Sequence, residues 1–130
     1  MSKGYVGWAV APADRAALLA RFPPAYGNVV AEHVTHTFPA GPDFPLPAAT
    51  QGRVVGIVDD GKGVQALVVE IDGGTARPDG STFHVTWSLG PGRRARESND
   101  VIAALGWTPG EPAPLQLEPR YFPPRGTGRR

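Results

Sequence analysis

The chain has 130 residues, 41% of them hydrophobic, and a formal net charge of +1. This predicts a single domain with a modest core and does not point to a nucleic-acid or membrane partner. The absence of cysteine excludes disulfides, thiolate metal ligands and a cysteine nucleophile. Because the sequence shows no signal peptide and no apolar run of membrane length, we expect a soluble cytoplasmic protein.

The first half of the chain predicts strand, helix and strand in turn. Residues 5–10 combine aromatic and β-branched side chains, which favour a strand. Residues 12–22 open on a proline and continue in alanine and leucine, which is typical of a helix. Residues 29–38 predict a second strand, and the proline-rich segment 39–47 predicts a loop.

The second half begins with the clearest hairpin signal of the chain. Two β-branched runs, 52–59 and 64–71, flank the turn sequence DDGKG. Residues 82–89 predict a further strand, and ESNDVIAALGW predicts a second helix. Ser98 or Asn99 would cap its start, and Gly106 would end it. A short final strand is expected over residues 115–118.

The order of these elements predicts an α+β fold. Antiparallel sheets would form a central cleft, with the two helices outside. We expect one domain over residues 1–122 and a flexible basic tail over residues 123–130, where the sequence reads PPRGTGRR from its first residue.

A repeated tripeptide carries the functional signal. The chain has three histidines, and two of them open the same sequence, His-Val-Thr, at residues 33–35 and 84–86. Alternate residues of a strand share one face, so His33 lies beside Thr35 and His84 beside Thr86. If the two strands are neighbours, two imidazoles and two hydroxyls face one small space.

This set of side chains suits the hydrolysis of a phosphodiester. One histidine removes a proton from water and the other protonates the leaving oxygen, while Thr35 and Thr86 donate hydrogen bonds to the phosphate. The same tripeptide is also ordinary strand material, and it is the duplication that favours a catalytic site. We expect no metal, because His33 and His36 point to opposite strand faces and two histidines are too few ligands. No cofactor is expected.

The pattern resembles the two-histidine phosphoesterase superfamily, which is defined by two such motifs on strands that line one cleft. The segments GYVGWAVAP (residues 4–12) and HVTHTFP (33–39) look like the opening of the cyclic phosphodiesterase domain of fungal-type tRNA ligases and related RNA-repair enzymes. The segment FHVTWSLGPGRRARESND (83–100) looks like the part of that group in which the second motif runs into a Ser-Asn pair, here Ser98 and Asn99.

The resemblance implies a compact fold of that superfamily and a metal-independent activity on 2′,3′-cyclic phosphates. The substrates would be RNA ends or nucleoside 2′,3′-cyclic phosphates, opened by water to a 2′-phosphate, with His84 as base and His33 as acid. The two motifs lie closer together than in most members, which implies a trimmed lobe. No ligase or kinase motif is present, so any RNA ligase or kinase that acts with this protein would be a separate chain.

Other residues are candidates for nucleotide or RNA contacts, and Ser98 and Asn99 are among them. Tyr5 and Trp8 would stack on a base, although core packing is the alternative for such aromatics. Arg93 and Arg94, just after the second motif, would contact an RNA backbone or simply belong to a solvated loop. Two other functions share the motif: cleavage of 2′-5′ oligoadenylates or cyclic oligonucleotide signals, and non-catalytic binding of RNA ends.

Overall fold

The computed structural model describes residues 4–124, which form seven strands and two helices. Residues 1–3 and 125–130 lie outside this range, and so does most of the predicted basic tail. The elements in chain order are β1 Gly4–Val10, α1 Pro12–Arg21, β2 Asn28–Val29, β3 His33–Ala40, β4 Gln51–Asp59, β5 Val64–Glu70, β6 His84–Leu89, α2 Glu97–Leu105 and β7 Thr108–Phe122.

The strands form one antiparallel sheet that closes on itself. Its order is β2-β6-β3-β1-β7-β4-β5, and β5 also pairs with β6. Six strands therefore make a closed barrel. The α+β class, the antiparallel pairing and the two helices are confirmed. The strands, however, make a single barrel wall, and no central cleft between separate sheets is apparent in the part of the chain described.

Buried side chains form two layers. The barrel interior holds a cluster that includes Trp8, Val34, Val85 and Trp87, and Leu18 of α1 packs against it. A second cluster lies on the outer side of the wall under α2, where apolar residues of β4, β5 and β6 meet Val101, Ile102 and their neighbours. Neither α1 nor α2 is long and apolar enough to cross a membrane, and the described range contains no other helix.

The last strand is much longer than the sequence predicts. β7 runs over 15 residues, and three of its four prolines are exposed, although proline generally disfavours a strand. Pro112 and Pro114 are exposed, whereas Ala113, Leu115 and others that alternate with them are buried. One part of β7 pairs with β4 and the following part with β1, so this strand joins the two halves of the barrel.

The predicted strand over residues 29–38 is interrupted by a bulge. Ala31 has a φ of 50°, and its N–H donates to the carbonyl of Thr86 at 2.9 Å. The next pair in register is Val34 with Val85, so β3 has gained two residues relative to β6. Arg15 of α1 holds the bulge, since its Nε donates to the Ala31 carbonyl at 2.9 Å.

Truncation of the interior should destabilise the barrel far more than truncation of its surface. Leu67 of β5 is fully buried in the interior cluster, so Leu67→Ala should lower the free energy of unfolding by about 2–5 kcal/mol. The matched control Leu105→Ala removes an exposed side chain and should change it by less than about 0.5 kcal/mol. Urea unfolding measures both, and equal costs would contradict the assigned interior.

Candidate active site

The two His-Val-Thr tripeptides lie side by side. Val34 and Val85 are in antiparallel register and point into the barrel. In this register His33 is next to Thr86 and Thr35 is next to His84 on the opposite, outer face. The two histidines thus occupy diagonal positions, which are typically about 7–8 Å apart. The structure brings together the four residues that the sequence singled out.

His84 is the more deeply placed of the two histidines, with 9% of its surface exposed. Its Nδ1 lies 2.8 Å from the carbonyl oxygen of Thr82. Because a carbonyl only accepts hydrogen bonds, Nδ1 carries the proton, and in the neutral ring Nε2 keeps its lone pair. Burial lowers the pKa of His84 to about 4, and repulsion from Arg77 and His33 adds to the effect.

His33 lies at the more open side of the site, packed among aromatic rings. Its ring is 5.1 Å from that of Tyr5 and 5.2 Å from that of Phe122, and these two rings stack on each other at 4.8 Å. Burial also lowers the pKa of His33. Tyr5, predicted to stack on a base, lies in ring contact with His33, and its contact with a nucleotide stays a prediction. Phe122 was not identified from the sequence, because it belongs to the part of β7 that was not predicted.

The two threonines differ in their surroundings. Thr35 is half-buried and lies opposite Gly7 of β1. A Cβ on Gly7 would lie 2.1 Å from the Val34 carbonyl oxygen, so only glycine permits this close approach of β1 to the motif strand. Thr86 is 6% exposed, and its hydroxyl lies 2.9 Å from the hydroxyl of Ser98 and 3.3 Å from the carbonyl of Ala95.

The first turn of α2 reaches toward the site with Ser98 and Asn99. The prediction that one of them caps the helix is wrong, because the N-cap is Arg96 and no side chain caps it. Inside the helix, Ser98 is free to bond Thr86, and the Asn99 Oδ1 accepts from the Arg77 Nη1 at 3.3 Å. Both residues therefore fix α2 against its neighbours. The prediction that Gly106 ends the helix is correct.

Arg77 is a charged residue near the site that the sequence did not reveal. It lies in the connection between β5 and β6 and is only 7% exposed. Its positive charge lowers the pKa of both His84 and His36, in each case after the larger effect of burial. Strand periodicity says nothing about loop residues, and a lone arginine in the sequence ARPDGS carries no other signal.

The arginines after the second motif have different roles from each other. The Arg93 guanidinium is bound by Asp60 at 3.0 Å and by Glu97 at 2.8 Å, so it joins the β4–β5 turn to the start of α2. The guanidinium of Arg93, a candidate for contact with an RNA backbone, is therefore already paired with two carboxylates. Arg94 is exposed in the same loop.

Trp8 and His36 lie on the other side of the barrel wall. Trp8 is buried in the interior, and its Nε1 donates to the Ala49 carbonyl at 2.8 Å. The Trp8 ring is 5.5 Å from that of His36. Trp8 is therefore not brought together with the motif histidines. Within residues 4–124, no group of three or more His, Asp or Glu side chains is arranged to hold a metal ion.

The chain was compared with known proteins by sequence and by structure. No protein-family model, no curated protein and no solved structure matches it.

The buried His84 should make the protein sensitive to acid. In the unfolded chain an imidazole takes up its proton near the ordinary pKa of 6.5, whereas folded His84 does so only near 4. Between these two pKa values the unfolded chain binds the proton and the folded protein does not. The free energy of unfolding is therefore unaffected by His84 above about pH 6.5 and falls as the pH is lowered to about 4, by up to about 3 kcal/mol. Thermal or urea unfolding across this range measures the loss.

The variant His84→Asn isolates this contribution from that of other titrating groups. The Asn amide can donate to the Thr82 carbonyl in place of Nδ1, but it does not titrate. Its unfolding free energy should fall less steeply between pH 6.5 and 4 than that of the wild type. Identical slopes would show that His84 is not buried as the structure has it.

Proposed function

We propose that this protein is a metal-independent phosphodiesterase of the two-histidine type that hydrolyses 2′,3′-cyclic phosphates, with RNA ends or nucleoside 2′,3′-cyclic phosphates as substrates. The observation that supports this best is the register of Val34 with Val85. Because the two strands are antiparallel, each presents one imidazole and one hydroxyl on the same outer face, and the two pairs run in opposite directions. A phosphate bound between them would have one histidine on each side, as an acid and a base require.

In the proposed reaction, the Nε2 of His84 removes a proton from water. The water oxygen attacks the phosphorus, and the bond from phosphorus to O3′ breaks. His33 donates its proton to O3′, which leaves a 2′-phosphate. The hydroxyls of Thr35 and Thr86 donate to the non-bridging oxygens, where negative charge accumulates.

The order of the two pKa values supports this division of roles. His84 has its pKa lowered to about 4 and is neutral at physiological pH, as a base must be. His33 is less deeply buried and its pKa is lowered less, so it is the histidine that is protonated more readily. The negative charge of a bound phosphate favours that protonated form.

The burial of Thr86 also favours a second candidate function, the binding of an RNA end without cleavage. Thr86 lies against the start of α2, where its hydroxyl already has Ser98 and Ala95 as partners. Catalysis requires the hydroxyl to exchange one of these partners for a phosphate oxygen. A protein that keeps the contact would hold an RNA end without cleaving it. Cleavage of 2′-5′ oligoadenylates or cyclic oligonucleotides is the other alternative at the same face.

Loss of either histidine should remove the activity. We expect His33→Asn or His84→Asn to lower kcat/KM for 2′,3′-cyclic AMP by about 10²–10⁴-fold, and the double variant to be little worse, because the pair acts as one unit. Thr35→Ala and Thr86→Ala should each cost roughly tenfold to a thousandfold. Matched controls at exposed positions are Glu32→Ala and Thr108→Ala, which should change nothing.

The assays should be run in EDTA with three substrates: 2′,3′-cyclic AMP, a 2′-5′ oligoadenylate and a cyclic dinucleotide. Activity that is confined to the first substrate and survives EDTA supports the proposal. Turnover of none, together with retained binding of an RNA 2′,3′-cyclic phosphate end, favours the binding function. Near-wild-type activity in either histidine variant would refute the acid–base assignment.

The pH profile of kcat/KM should be bell-shaped with an acidic optimum. Ordinary histidines, with a pKa of about 6.5, would place the optimum near neutrality. Here burial lowers the pKa of both imidazoles. The active form, with His84 neutral and His33 charged, is then most abundant between about pH 4 and the lowered pKa of His33, and the two limbs belong to the coupled pair. An optimum above pH 7 would contradict the lowered pKa values of the two histidines.

A further inference from the structure

A second candidate site lies at one end of the barrel. A cavity of about 350 Å³ opens there between the β3–β4 and β5–β6 connections. Its lining combines polar groups with the apolar side chains of Trp8, Ile71, Phe83, Pro47 and Pro78. Three of these belong to the interior cluster, so the cavity continues the inside of the barrel, whereas His33, Thr35, His84 and Thr86 lie on the outer face.

Arg77 supplies the positive charge of this cavity and lacks a full set of partners. The residue lines the cavity although only 7% of its surface is exposed. Asn99 accepts one hydrogen bond, and the carboxylate of Asp79, itself half exposed, lies 3.6 Å from Nη2. Among residues 4–124, the buried Nε has no acceptor at all. A guanidinium has five N–H donors, and a buried donor without an acceptor is costly.

Aromatic rings form a wall beside this charge. The rings of His36 and Phe83 stack with centroids 6.3 Å apart, and Trp8 meets both edge-on at 5.5 and 5.6 Å. Asp72 also borders the cavity, and its carboxylate disfavours a ligand with a second anionic group. The site therefore offers one cation, an aromatic wall and space for a small molecule.

We propose that this cavity binds a small aromatic anion that carries a single phosphate or carboxylate group. Its anionic oxygens would bond to the Arg77 guanidinium, and its ring would lie against the Trp8, His36 and Phe83 wall. Charge-assisted hydrogen bonds to guanidinium are among the strongest in proteins, and the ring replaces water on apolar surface. The proposal does not depend on the phosphodiesterase activity. Arg77 lies near enough to His84 to lower its pKa, but none of the four motif residues lines the cavity.

The indole N–H signals in a ¹⁵N NMR spectrum of the wild-type protein test the proposal. Trp8 borders the cavity, whereas the Trp87 indole donates to the Phe22 carbonyl at 2.7 Å next to α1 and serves as an internal control. Titration with adenosine 5′-monophosphate or with an aromatic carboxylate such as benzoate should shift the Trp8 signal saturably. Adenosine, which has the ring without the charge, should bind at least about tenfold more weakly.

The two anions distinguish the source of the ligand. Binding of the nucleotide alone assigns a phosphate ligand, and binding of benzoate alone assigns a carboxylate. If neither moves the Trp8 signal at millimolar concentration, or if Trp87 moves as much as Trp8, the proposal is wrong.

Variants of Arg77 test the role of the charge. Arg77→Gln should weaken the binding of the responding anion by about tenfold or more, and Arg77→Lys should retain part of it. The matched control is Arg53→Gln, which removes an exposed arginine on β4. Binding by Arg77→Gln at wild-type affinity would overturn the proposal. If that variant does not fold, the Arg77→Lys variant and the wild-type titrations still decide.

The variant His33→Asn separates this site from the proposed active site. It should bind the anion with unchanged affinity even though it has lost any phosphodiesterase activity. A parallel loss of binding in His33→Asn would show that the anion occupies the outer face, which would refute a separate cavity site without refuting the enzyme.

Discussion

The pairing of Val34 with Val85 is the constraint on which both the barrel and the candidate active site depend. It is the one pair in register between β3 and β6 in the described chain, whereas β1 and β3 share five. Because both valines are fully buried, the hydrophobic effect holds this seam closed. The same pairing turns the flanking imidazoles and hydroxyls outward. Arg15 supports it from α1 by binding the bulge at Ala31.

A second set of contacts holds α2 over the histidine face. Arg93 joins Asp60 to Glu97, and Ser98 meets the hydroxyl of Thr86. Each ion pair at a partly exposed surface contributes little alone, but together these contacts fix the start of one helix. The helix therefore bears directly on one of the two motif threonines, and its position decides whether the Thr86 hydroxyl is engaged or available to a ligand.

The elements that were predicted well are those with a local signal. Pro12 and the alanines that follow specified α1, the glycines of DDGKG specified the β4–β5 turn, and Gly106 ended α2 at φ 68°. The shared face of each motif histidine and threonine was also predicted, because strand alternation alone places residues two apart on one face. These features require no knowledge of which strands are neighbours.

What was missed depends on contacts between distant parts of the chain. Closure of the barrel requires β5 to pair with β6, and no local sequence pattern predicts that pairing. The full length of β7 was not predicted, because proline generally disfavours a strand. The position of Phe122 beside His33 was missed for the same reason. Arg77 lies in a loop, where its burial follows only from the position of Asn99 on α2. Ser98 and Asn99 looked like helix caps, and only their tertiary partners show their actual role.

The double pairing of β7 has a consequence for the way in which the protein is made. Translation delivers β1 and β4 long before residues 108–122, and each of them has β7 as a neighbour. Until β7 leaves the ribosome, both strands present an open edge, and such edges pair readily with other chains. The nascent protein therefore keeps two strand edges open to aggregation until β7 emerges. This strand completes the wall whose outer face carries the histidines.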